Sequence, residues 1–555
     1  MNIREHCAWV CNSLKEATDK AKLMIAAAIE KARSLGKEKV LKVKRKEAIL
    51  VIGGGPAGIQ ASLELANQGF KVYLVESSPT IGGLASSLHR TFSINECNCA
   101  ICVKSSKPLE VYENPNIELL TYCETSDVKR YPWGFKVKII KKPKYVNYDR
   151  CTNCGLCSEK CPQLVLNEWD RGLSKRKAIY IPLPYATPPR YVIDPNHCLH
   201  FTENSCNICE EVCPYNAIDF SQKAEEVEVE VGAIIVATGS EEFNPSTIPK
   251  YGYGKCKDVI TQLQLERLMD PLGPTGGRLV RVSDGEKPSK IVMIQCVGSR
   301  DPKINPYCSS ICCSIALKHA RSIKERHPEI DVTIVYKDIR LMGKYDEKYL
   351  MECERLGVNF VKGEVIDVKW DPELKRFRIK LESFGERKCL LADLIVLSTG
   401  FIPSANAIEL AEVLDISLRR DKFFASTHPK FAPLETNVSG IFVCGAAQGP
   451  TDISETINQA LAVVSKVAKV LGKGEVRVKL SKAVVNENYC IGCRVCEISC
   501  PFNAAKVSVQ GISNVVEVMC KECGICAAEC PAEAIQLVNY RDEQLNEIIK
   551  GVLSS

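Results

Sequence analysis

The chain has 555 residues, 30 of them cysteines, and a formal net charge of +6. Hydrophobic residues make up 45% and charged residues 25%, which is typical of a globular protein, and so small a net charge argues against nucleic-acid binding. We find no export signal and no run of about 18 apolar residues, so we expect no disulfide framework and no membrane span, and we predict a cytoplasmic location.

Residues 1–45 predict a helical segment, and the basic run at 37–46 is interpreted as a solvated linker. A short apolar strand is then predicted at Ala48–Ile52 and a second at 71–75, with an apolar helix between them. This β-α-β order is the unit from which nucleotide-binding domains are built.

Gly53, Gly55 and Gly58 form a G-x-G-x-x-G loop between the first strand and the helix. Glycines at this spacing let the backbone turn tightly and approach a pyrophosphate at the helix N-terminus. Glu76 follows about 20 residues later, where a carboxylate binds a ribose hydroxyl. The pattern therefore predicts a dinucleotide site, although it serves NAD and FAD alike.

Two features favour FAD at this site. Gly83 closes an Ile-Gly-Gly sequence shortly after Glu76, and two apolar strands, at 232–239 and 392–400, end in Thr-Gly. Both features resemble flavoproteins of the thioredoxin reductase type, in which one nucleotide-binding domain holds FAD and a second holds NAD(P)H. We therefore predict Gly83, Thr238 and Gly239 as further cofactor-binding residues.

Four cysteine runs are of the bacterial ferredoxin type. Three have the spacing C-x2-C-x2-C-x3-C-P, namely Cys151, Cys154, Cys157 and Cys161; Cys490, Cys493, Cys496 and Cys500; and Cys520, Cys523, Cys526 and Cys530. The fourth run is looser and contains Cys198, Cys206, Cys209 and Cys213.

In such runs the first three cysteines bind one [4Fe–4S] cluster and the fourth binds the partner cluster. The predicted ligand sets are therefore Cys151, Cys154, Cys157 with Cys213; Cys198, Cys206, Cys209 with Cys161; Cys490, Cys493, Cys496 with Cys530; and Cys520, Cys523, Cys526 with Cys500. Zinc also takes four thiolates and is the alternative, but runs closed by proline favour iron–sulfur clusters.

A second nucleotide-type domain departs from the usual pattern. A strand predicted at 291–295 leads into Cys296 and Gly298 without a glycine-rich loop, and a helix at 313–325 and a strand at 332–336 follow. Four cysteines stand at this place instead: Cys296, Cys308, Cys312 and Cys313. We interpret them as ligands of a fifth cluster, the alternative being thiols packed in a buried helix.

A sixth, N-terminal cluster is a further prediction. Cys7 and Cys11 are four residues apart on one helix face, and Cys97, Cys99 and Cys102 follow the flavin half-domain's first strands. The alternative for these thiols is burial without a metal. The remaining isolated cysteines are predicted to lie in the core, namely Cys123, Cys256, Cys353, Cys389 and Cys444.

These motifs together resemble the family of heterodisulfide reductase A subunits over essentially the whole chain. The similar segments are residues 2–10, 51–58, 151–162, 175–182, 251–254, 295–301 (QCVGSRD), 307–313 (YCSSICC) and 445–450. The resemblance implies FAD, many [4Fe–4S] clusters and electron bifurcation, in which one electron goes to ferredoxin and one towards a disulfide-reducing partner.

The resemblance also implies individual roles and partners. Lys318 corresponds to a lysine near the flavin N5, Glu266 to a glutamate that pairs with it, and Gly445 to a cofactor-binding glycine. The implied partners are the B and C subunits of heterodisulfide reductase, a hydrogenase or formate dehydrogenase component, ferredoxin and a second copy of the chain. Family members carry a further N-terminal domain, and many have His at the place of Cys11, so the N-terminal ligands stay open.

The expected fold is α/β: a thioredoxin-reductase-like pair of Rossmann-type domains, one for FAD and one degenerate NAD domain, with an inserted and a C-terminal ferredoxin module. The predicted boundaries are 1–45 (helical segment), 46–142, 222–285 and 406–480 (FAD domain), 143–221 (inserted module), 286–405 (degenerate domain) and 481–555 (C-terminal module).

Three alternatives to bifurcation stay open at this point. One is a non-bifurcating flavin and iron–sulfur wire in a sulfur-metabolism or quinone-linked complex, which the motifs do not separate from bifurcation. Another is an NAD(P)H-dependent reductase, against which the missing second glycine loop argues. The last is a scaffold without catalytic activity, which would lack flavin.

Overall fold

The computed structural model describes residues 2–35, 40–91, 100, 102–131, 133–341, 343, 346–472, 475–479, 483–502, 504–517 and 519–553. The chain forms two compact units. The smaller unit comprises Met1–Arg45, Arg130–Trp133 and Lys473–Ser555, and the larger unit comprises Lys46–Lys129 and Gly134–Gly472. The finer domain boundaries drawn from the sequence stay a prediction, apart from the FAD-domain bounds 222–285, because Val259–Thr261 and Gln262–Met269 lie in the second domain described below.

The first parallel sheet of the larger unit has five strands. Their order is Ile441–Val443, Ala233–Val236, Ala48–Ile52, Lys71–Glu76 and Ile117–Thr121. Side chains alternate between the two faces of a sheet, so Ile49 and Val51 enter one apolar core while Leu50 and Ile52 enter another. The strands predicted at 48–52 and 71–75 are confirmed, and both faces are covered, as parallel sheets require.

Helices cover one face of this sheet and a second sheet covers the other. Helices Pro56–Asn67 and Ile453–Leu471 pack on the first face, where Leu65 and Val463 share a core. The other face carries an antiparallel sheet of three strands, Glu225–Val231, Gly134–Lys141 and Cys123–Tyr131.

A second domain in the larger unit repeats this plan. Its five parallel strands are ordered Val259–Thr261, Leu394–Thr399, Lys290–Val297, Asp331–Tyr336 and Asn359–Lys362. The elements that cover it are helices Gln262–Met269, Cys312–Arg326 and Asp346–Arg355 and antiparallel strands Glu364–Asp371, Arg376–Ser383 and Glu386–Ala392. The predicted pair of Rossmann-type domains is therefore confirmed.

Two extended segments connect the domains and pair with each other. Strand Ser240–Glu242 leaves the first domain and runs antiparallel to Phe401–Pro403, which returns to it. The Oε1 atom of Glu241 accepts a 2.7 Å hydrogen bond from the backbone of Ala405, and Thr399 Oγ1 donates to Glu242 Oε1 at 2.6 Å. These contacts hold the two connections together beside the site described below.

The inserted module leaves and rejoins the antiparallel sheet at one point, because Lys141 and Glu225 are opposite each other in paired strands. Its core contains Val146, Ile179 and Ile193 together with several cysteines. Its elements are helices Leu156–Lys160, Leu199–Glu203 and Ile208–Glu211 and strands Leu164–Leu166, Lys175–Lys177, Ile179–Tyr180 and Val192–Ile193.

The smaller unit brings the two ends of the chain together. Helix Leu14–Ser34 packs against helix Asp542–Leu553, and strand Val40–Lys44 pairs antiparallel with Glu475–Lys479. The prediction of a linker at 37–46 is therefore wrong for Val40–Lys44. From Leu41 to Lys44 apolar and charged residues alternate with the period of a strand, and the basic composition alone does not reveal this.

The C-terminal module also lies in the smaller unit. It consists of the strand pairs Ala483–Val485 with Ile535–Leu537 and Ala505–Val507 with Ser513–Val515, and of helices Val495–Ser499 and Ile525–Ala528. The other short helices of the described chain are Arg4–Ala8, Gly83–Ser87, Cys102–Ser106, Lys107–Glu113, Pro245–Thr247, Pro249–Tyr251, Ala407–Leu414 and Gly445–Ala447. Within the described ranges, no helix has the length and apolar character needed to span a bilayer.

The isolated cysteines are mostly internal, as predicted. Cys123, Cys353 and Cys444 are buried and Cys256 is half-buried. The prediction is wrong for Cys389, which is exposed. Its strand, Glu386–Ala392, lies at the edge of an antiparallel sheet, and the first residues of that strand face solvent.

Gly58 tests how tightly the first helix packs on its strand. A Cβ atom at this position would overlap the carbonyl oxygen of Gly53. We expect Gly58→Ala to lower the free energy of unfolding by about 1–3 kcal/mol, the usual cost of overpacking, as measured by denaturant unfolding followed by circular dichroism. Asn67→Ala, at the exposed end of the same helix, is the control, and equal losses in both variants would contradict the packing argument.

Candidate functional site

A cavity of about 700 Å³ lies within the larger unit. It opens at the carboxyl ends of the first sheet's strands, which is where parallel sheets bind ligands. The predicted dinucleotide-binding residues that line it are Gly53, Gly55, Glu76, Gly83, Thr238 and Gly239. The dinucleotide residues are thus gathered on one wall.

The three loop glycines have different surroundings. A Cβ atom at Gly53 would overlap the carbonyl oxygen of Ala237, and Gly58 is equally confined by Gly53. At Gly55 an added Cβ would meet nothing within 4 Å, and this residue precedes helix Pro56–Asn67 as its N-cap. The open face of Gly55 at a helix N-terminus is the geometry that binds a pyrophosphate.

Two polar groups also fit a dinucleotide. Glu76 is held at the strand end, since its carboxylate accepts from the backbone of Gly54 at 2.7 Å and of Ser78 at 2.8 Å. Thr238 Oγ1 is buried and has no hydrogen-bond partner among the described residues. Because buried hydroxyls are normally satisfied, a ligand hydroxyl or phosphate in the cavity suits Thr238, and the residues present fit FAD.

Gly58 and Gly445 support this wall without forming it. A Cβ at Gly445 would lie 3.0 Å from the Cβ of Ala57, and the backbone of Gly445 donates to Gln459 Oε1 at 2.8 Å. Sequence reasoning missed a second helix N-terminus, that of Ile453–Leu471, where Asp452 caps the helix by accepting from Glu455 N at 2.7 Å. Asp452 lines the cavity. The Gly-Pro-Thr-Asp sequence before the helix is the pattern that could have predicted this N-terminus.

At another part of the cavity, Lys318 and Glu266 form a buried ion pair. Lys318 lies on helix Cys312–Arg326 and is 6% exposed, and Glu266 lies on helix Gln262–Met269 and is 2% exposed. Neither residue is therefore a surface charge on its helix. The ammonium of Lys318 also donates to the carbonyl oxygen of Arg90 at 3.0 Å.

The surroundings of this pair control its charge. Burial, with the positive Arg90 as a second cause, lowers the pKa of Lys318 to about 7. Glu266 accepts two further hydrogen bonds, from His319 Nε2 at 3.0 Å and from the backbone of His89 at 3.0 Å. Burial lowers the pKa of His319 well below its usual value, so the ring is neutral and its Nε2 atom carries the proton donated to Glu266.

The four cysteines of the second domain lie together. Cys296 is the penultimate residue of strand Lys290–Val297, and Cys312 and Cys313 begin helix Cys312–Arg326. The hydrogen bond to Cys313 and burial, together with the negative charges of Cys296 and Cys308, raise the pKa of Cys312. Four thiols that repel one another as thiolates are suited to a cationic cluster core.

Positive charge favours the thiolate form of this group. The hydrogen bond from Cys312, the backbone of Arg340 and the charges of Arg300 and Arg340 together lower the pKa of Cys313 to about 7 against the effect of burial. The guanidinium of Arg300 also lies 4.0 Å from Cys296 Sγ. Thiolates are the metal-binding form of cysteine.

This cysteine group borders the large cavity. Ser310, Ile311, Ser314 and Ile315 line the cavity, and they flank Cys312 and Cys313 in sequence. A cluster held here and a flavin held in the cavity would therefore be neighbours.

The turn that follows strand Lys290–Val297 of the second domain is occupied by an aromatic side chain. A Cβ at Gly298 would overlap the ring of Phe243, whose backbone donates to Gly400 O at 2.8 Å. A glycine loop at this position normally leaves room for a pyrophosphate. Here the ring of Phe243 takes that room.

The ferredoxin-type cysteines surround three small cavities. These are bounded by Cys161, Cys198, Cys206 and Cys209; by Cys490, Cys493, Cys496 and Cys530; and by Cys500, Cys520, Cys523 and Cys526. In the remaining set, burial raises the pKa of Cys157 to about 11, and the nearby Cys151, Cys154 and Cys213 contribute. Each group thus combines three cysteines of one run with the last cysteine of its partner run.

Three of the last cysteines accept a backbone hydrogen bond. Their Sγ atoms accept from the amide four residues later: Ala217 to Cys213 at 3.3 Å, Ala504 to Cys500 at 3.2 Å and Ala534 to Cys530 at 3.3 Å. Hydrogen bonds to sulfur tune cluster reduction potentials. Among the described residues, no three His, Cys, Asp or Glu side chains converge as ligands of a single metal ion.

The N-terminal cysteines are only partly described. Cys7 is buried with its Sγ 3.4 Å from Met24 Sδ, and Cys11 is half-buried. Cys97 and Cys99 lie outside the described residues, and Cys102 begins the short helix Cys102–Ser106 in the other unit. A cluster at these positions stays a prediction.

Serine substitutions test the exchange of cysteines between runs. Cys500→Ser should remove one cluster, a loss of about four iron atoms, measured as iron and sulfide content after anaerobic purification. Adding Cys520→Ser should remove no further iron, because Cys500 and Cys520 line the same cavity. Adding Cys490→Ser, which lines another cavity, should double the loss. Cys389→Ser is the control with full iron content, and the reverse pattern in the double variants would contradict the exchange.

Family models match three parts of the chain. Residues 48–98 match the family described as FAD dependent oxidoreductase, and residues 150–217 and 482–542 each match a 4Fe-4S dicluster domain. Among solved structures, thioredoxin reductase of T. acidophilum is 14% identical with a TM-score of 0.42, and the match covers 77% of this chain and 98% of that one.

Curated relatives match over the full chain. The iron–sulfur A subunit of the CoB–CoM heterodisulfide reductase of Methanocaldococcus jannaschii is 45% identical over 100% of this chain and 85% of the relative. The A subunit of the H2/formate:CoB-CoM heterodisulfide,ferredoxin reductase of Methanococcus maripaludis is 43% identical over 100% and 84%. The chain therefore belongs to the family of heterodisulfide reductase A subunits and is an oxidoreductase with an FAD-dependent domain and two [4Fe–4S] dicluster domains.

Proposed function

We propose that the chain is the electron-bifurcating subunit of a heterodisulfide reductase complex, coupling the reduction of ferredoxin to the reduction of a disulfide. The carrying observation is the wall shared by the large cavity and the group Cys296, Cys308, Cys312 and Cys313. Bifurcation needs a two-electron carrier beside one-electron carriers, and Ile311 and Ser314 lie both on the cavity wall and next to these cysteines. The name of the Methanococcus maripaludis relative, which mentions both a heterodisulfide and ferredoxin, supports the same coupling.

The residues of the cavity divide into binding and electrostatic roles. Gly55 and the N-terminus of helix Pro56–Asn67 would hold the pyrophosphate, and Glu76 would hold a ribose. Lys318 places a positive charge at the cavity, and Glu266 holds Lys318 in position. FAD supplies the exchange between two-electron and one-electron steps when it is bound.

The proposed wiring has five clusters. Four are held by the ferredoxin-type sets, each with one cysteine exchanged between runs, and the fifth by Cys296, Cys308, Cys312 and Cys313. A sixth cluster at Cys7 and Cys11 with Cys99 and Cys102 would raise the iron content from about 20 to about 24 atoms per chain. The two ferredoxin modules serve as separate ports for electrons.

The proposed partners follow from this wiring. They are the B and C subunits of heterodisulfide reductase, a hydrogenase or formate dehydrogenase component, ferredoxin and a second copy of the chain, without nucleic acid. The words H2/formate and ferredoxin in the name of the Methanococcus maripaludis relative support the input and output sides.

The one-electron potentials of the bound flavin test bifurcation. We expect crossed potentials in an anaerobic redox titration, and we expect the reconstituted complex to reduce ferredoxin only while the disulfide is also reduced. Uncrossed potentials, or ferredoxin reduction without the disulfide, would instead support the non-bifurcating wire.

NAD(P)H should leave the flavin oxidised, because the ring of Phe243 fills the turn at Gly298.

Lys318 gives a pH prediction. Burial and the positive Arg90 lower the pKa of Lys318 to about 7, and negative charge added to the cavity by reduction of a bound flavin would raise it. Above pH 7 reduction therefore adds a proton to Lys318, so the flavin potential should fall more steeply with pH above about 7 than below it. Potentiometric titration of the holoprotein between about pH 6 and 9 measures this change of slope, centred on the lowered Lys318 pKa.

Three variants isolate the contribution of Lys318. Lys318→Met should lower the potential and remove the change of slope, and Lys318→Arg should remove the change of slope while keeping the charge, since arginine stays protonated. Lys324→Met, on the same helix but outside the cavity lining, is the control. If Lys318→Met keeps the wild-type change of slope near pH 7, the role assigned to Lys318 is excluded.

A further inference from the structure

Arg267 is a fully buried charge outside the flavin-facing pair. Its side chain is 0% exposed, its Nε donates to Asp170 Oδ1 at 3.0 Å, and its Nη1 donates to Asp270 Oδ2 at 2.8 Å. The guanidinium also lies 3.8 Å from the ring centroid of Trp169. Burying a charge is costly unless it is paired and hydrogen-bonded, so this arrangement calls for a function.

The charges around Arg267 balance. Lys104, itself buried, forms a 2.8 Å ion pair with the same Oδ2 atom of Asp270, giving two cations and two carboxylates. The four residues come from three parts of the larger unit: Lys104 from the FAD-type domain, Asp170 from the inserted module, and Arg267 and Asp270 from the second domain. We call this group the buried charge network.

The buried charge network also holds the chain segment 87–90, which we call the strap. Arg267 Nη1 donates to Ser87 O at 3.2 Å. The next two contacts belong to the flavin-facing pair, since Glu266 accepts from His89 N at 3.0 Å and Lys318 donates to Arg90 O at 3.0 Å. Adjacent residues of one helix, Glu266 and Arg267, therefore bind alternate residues of the strap.

The inserted module also donates hydrogen bonds to the residue that precedes the strap. Tyr185 donates its hydroxyl to Ser86 O at 2.6 Å, and Trp169 Nε1 donates to the same oxygen at 3.4 Å. Gln264, on the helix of Arg267, donates to Arg171 O at 3.0 Å. The inserted module, the strap and helix Gln262–Met269 thus meet around Arg267.

We propose that Arg267 is a positioning residue that clamps the inserted ferredoxin module and the strap to helix Gln262–Met269, and so holds Glu266 and Lys318 at the flavin cavity. The two nucleotide-type domains are also connected by the paired segments at 240–242 and 401–403. The clamp fixes the inserted module's distance from the cavity and the position of the ion pair together. The proposal rests on the proposed function in taking the cavity to hold FAD.

The test uses a charge-balanced double variant. Arg267→Met alone leaves Asp170 and Asp270 facing only Lys104, and an uncompensated buried charge destabilises the fold. Arg267→Met with Asp170→Asn removes one charge of each sign, keeps Lys104 with Asp270 and still cuts the link to the inserted module. Arg267→Lys keeps the charge but loses the two-pronged contact and the stacking on Trp169.

The control removes an Arg–Asp pair elsewhere in the second domain, one whose arginine is partly exposed. Arg376 Nε lies 2.9 Å from Asp393 Oδ1, away from the strap and the inserted module. Arg376→Met with Asp393→Asn deletes the same pair of charges from the same chain. The control reports what loss of an ion pair does to stability and to the flavin in general.

Two measurements on anaerobically purified holoprotein report the clamp. Amide hydrogen exchange should quicken in residues 84–90 and 165–185 of the Arg267→Met/Asp170→Asn variant, with iron and FAD content unchanged. The flavin potential should fall, because a Lys318 less firmly paired with Glu266 loses its proton more readily and stabilises negative charge less. Arg267→Lys should be intermediate, and the control should match the wild type in both measurements.

Wild-type exchange together with a wild-type potential in the double variant would overturn the proposal, as would equal effects in the control. Should the double variant fail to fold, Arg267→Lys decides by the same two readouts. Absence of flavin from the wild-type protein would overturn the proposed function instead, and the exchange measurement would then still decide whether Arg267 clamps the module.

Discussion

The burial of an ion pair, Lys318 with Glu266, is the constraint on which the centre of the molecule depends. Two charges removed from water are stable only when every remaining hydrogen-bonding position is satisfied. The structure meets this demand with the ring of His319, the backbone amide of His89 and the carbonyl of Arg90. These contacts come from helix Cys312–Arg326 and from the strap, so the pair requires both nucleotide-type domains to be in place.

The cysteine groups also need their buried charge to be compensated, but the compensation comes from outside the chain. Buried thiolates repel one another, and a single side-chain cation cannot neutralise four of them. At the ferredoxin-type sites the chain supplies backbone amides, such as that of Ala504 to Cys500, and leaves the main compensation to the cluster. At Cys313 the chain adds Arg300 and Arg340, which suits a one-electron carrier beside a site that gains and loses negative charge.

Local patterns made most of the fold predictable. Strand Ala48–Ile52 and the cysteine runs can be predicted because the local spacing of their residue types is enough to identify them. Lys318 and Glu266 came only from the resemblance, since one lysine and one glutamate on helices have no signature. The contact between Arg267 and Asp170 has no sequence signal, because the two residues lie 97 positions apart and meet only through tertiary packing. Strand Val40–Lys44 and the exposed Cys389 were misjudged because composition does not report the pairing of strands.

The ring of Phe243 against Gly298 has a consequence for metabolism. In a two-domain flavoprotein with an open second loop, the flavin equilibrates with the pyridine-nucleotide pool of the cell. Here the ring of Phe243, whose backbone donates to Gly400 O, lies against Gly298 in the corresponding turn. Under the proposed function, a flavin in this cavity would be insulated from that pool, so its redox state would follow the iron–sulfur wiring and the partners attached to it, whatever the ratio of NADH to NAD.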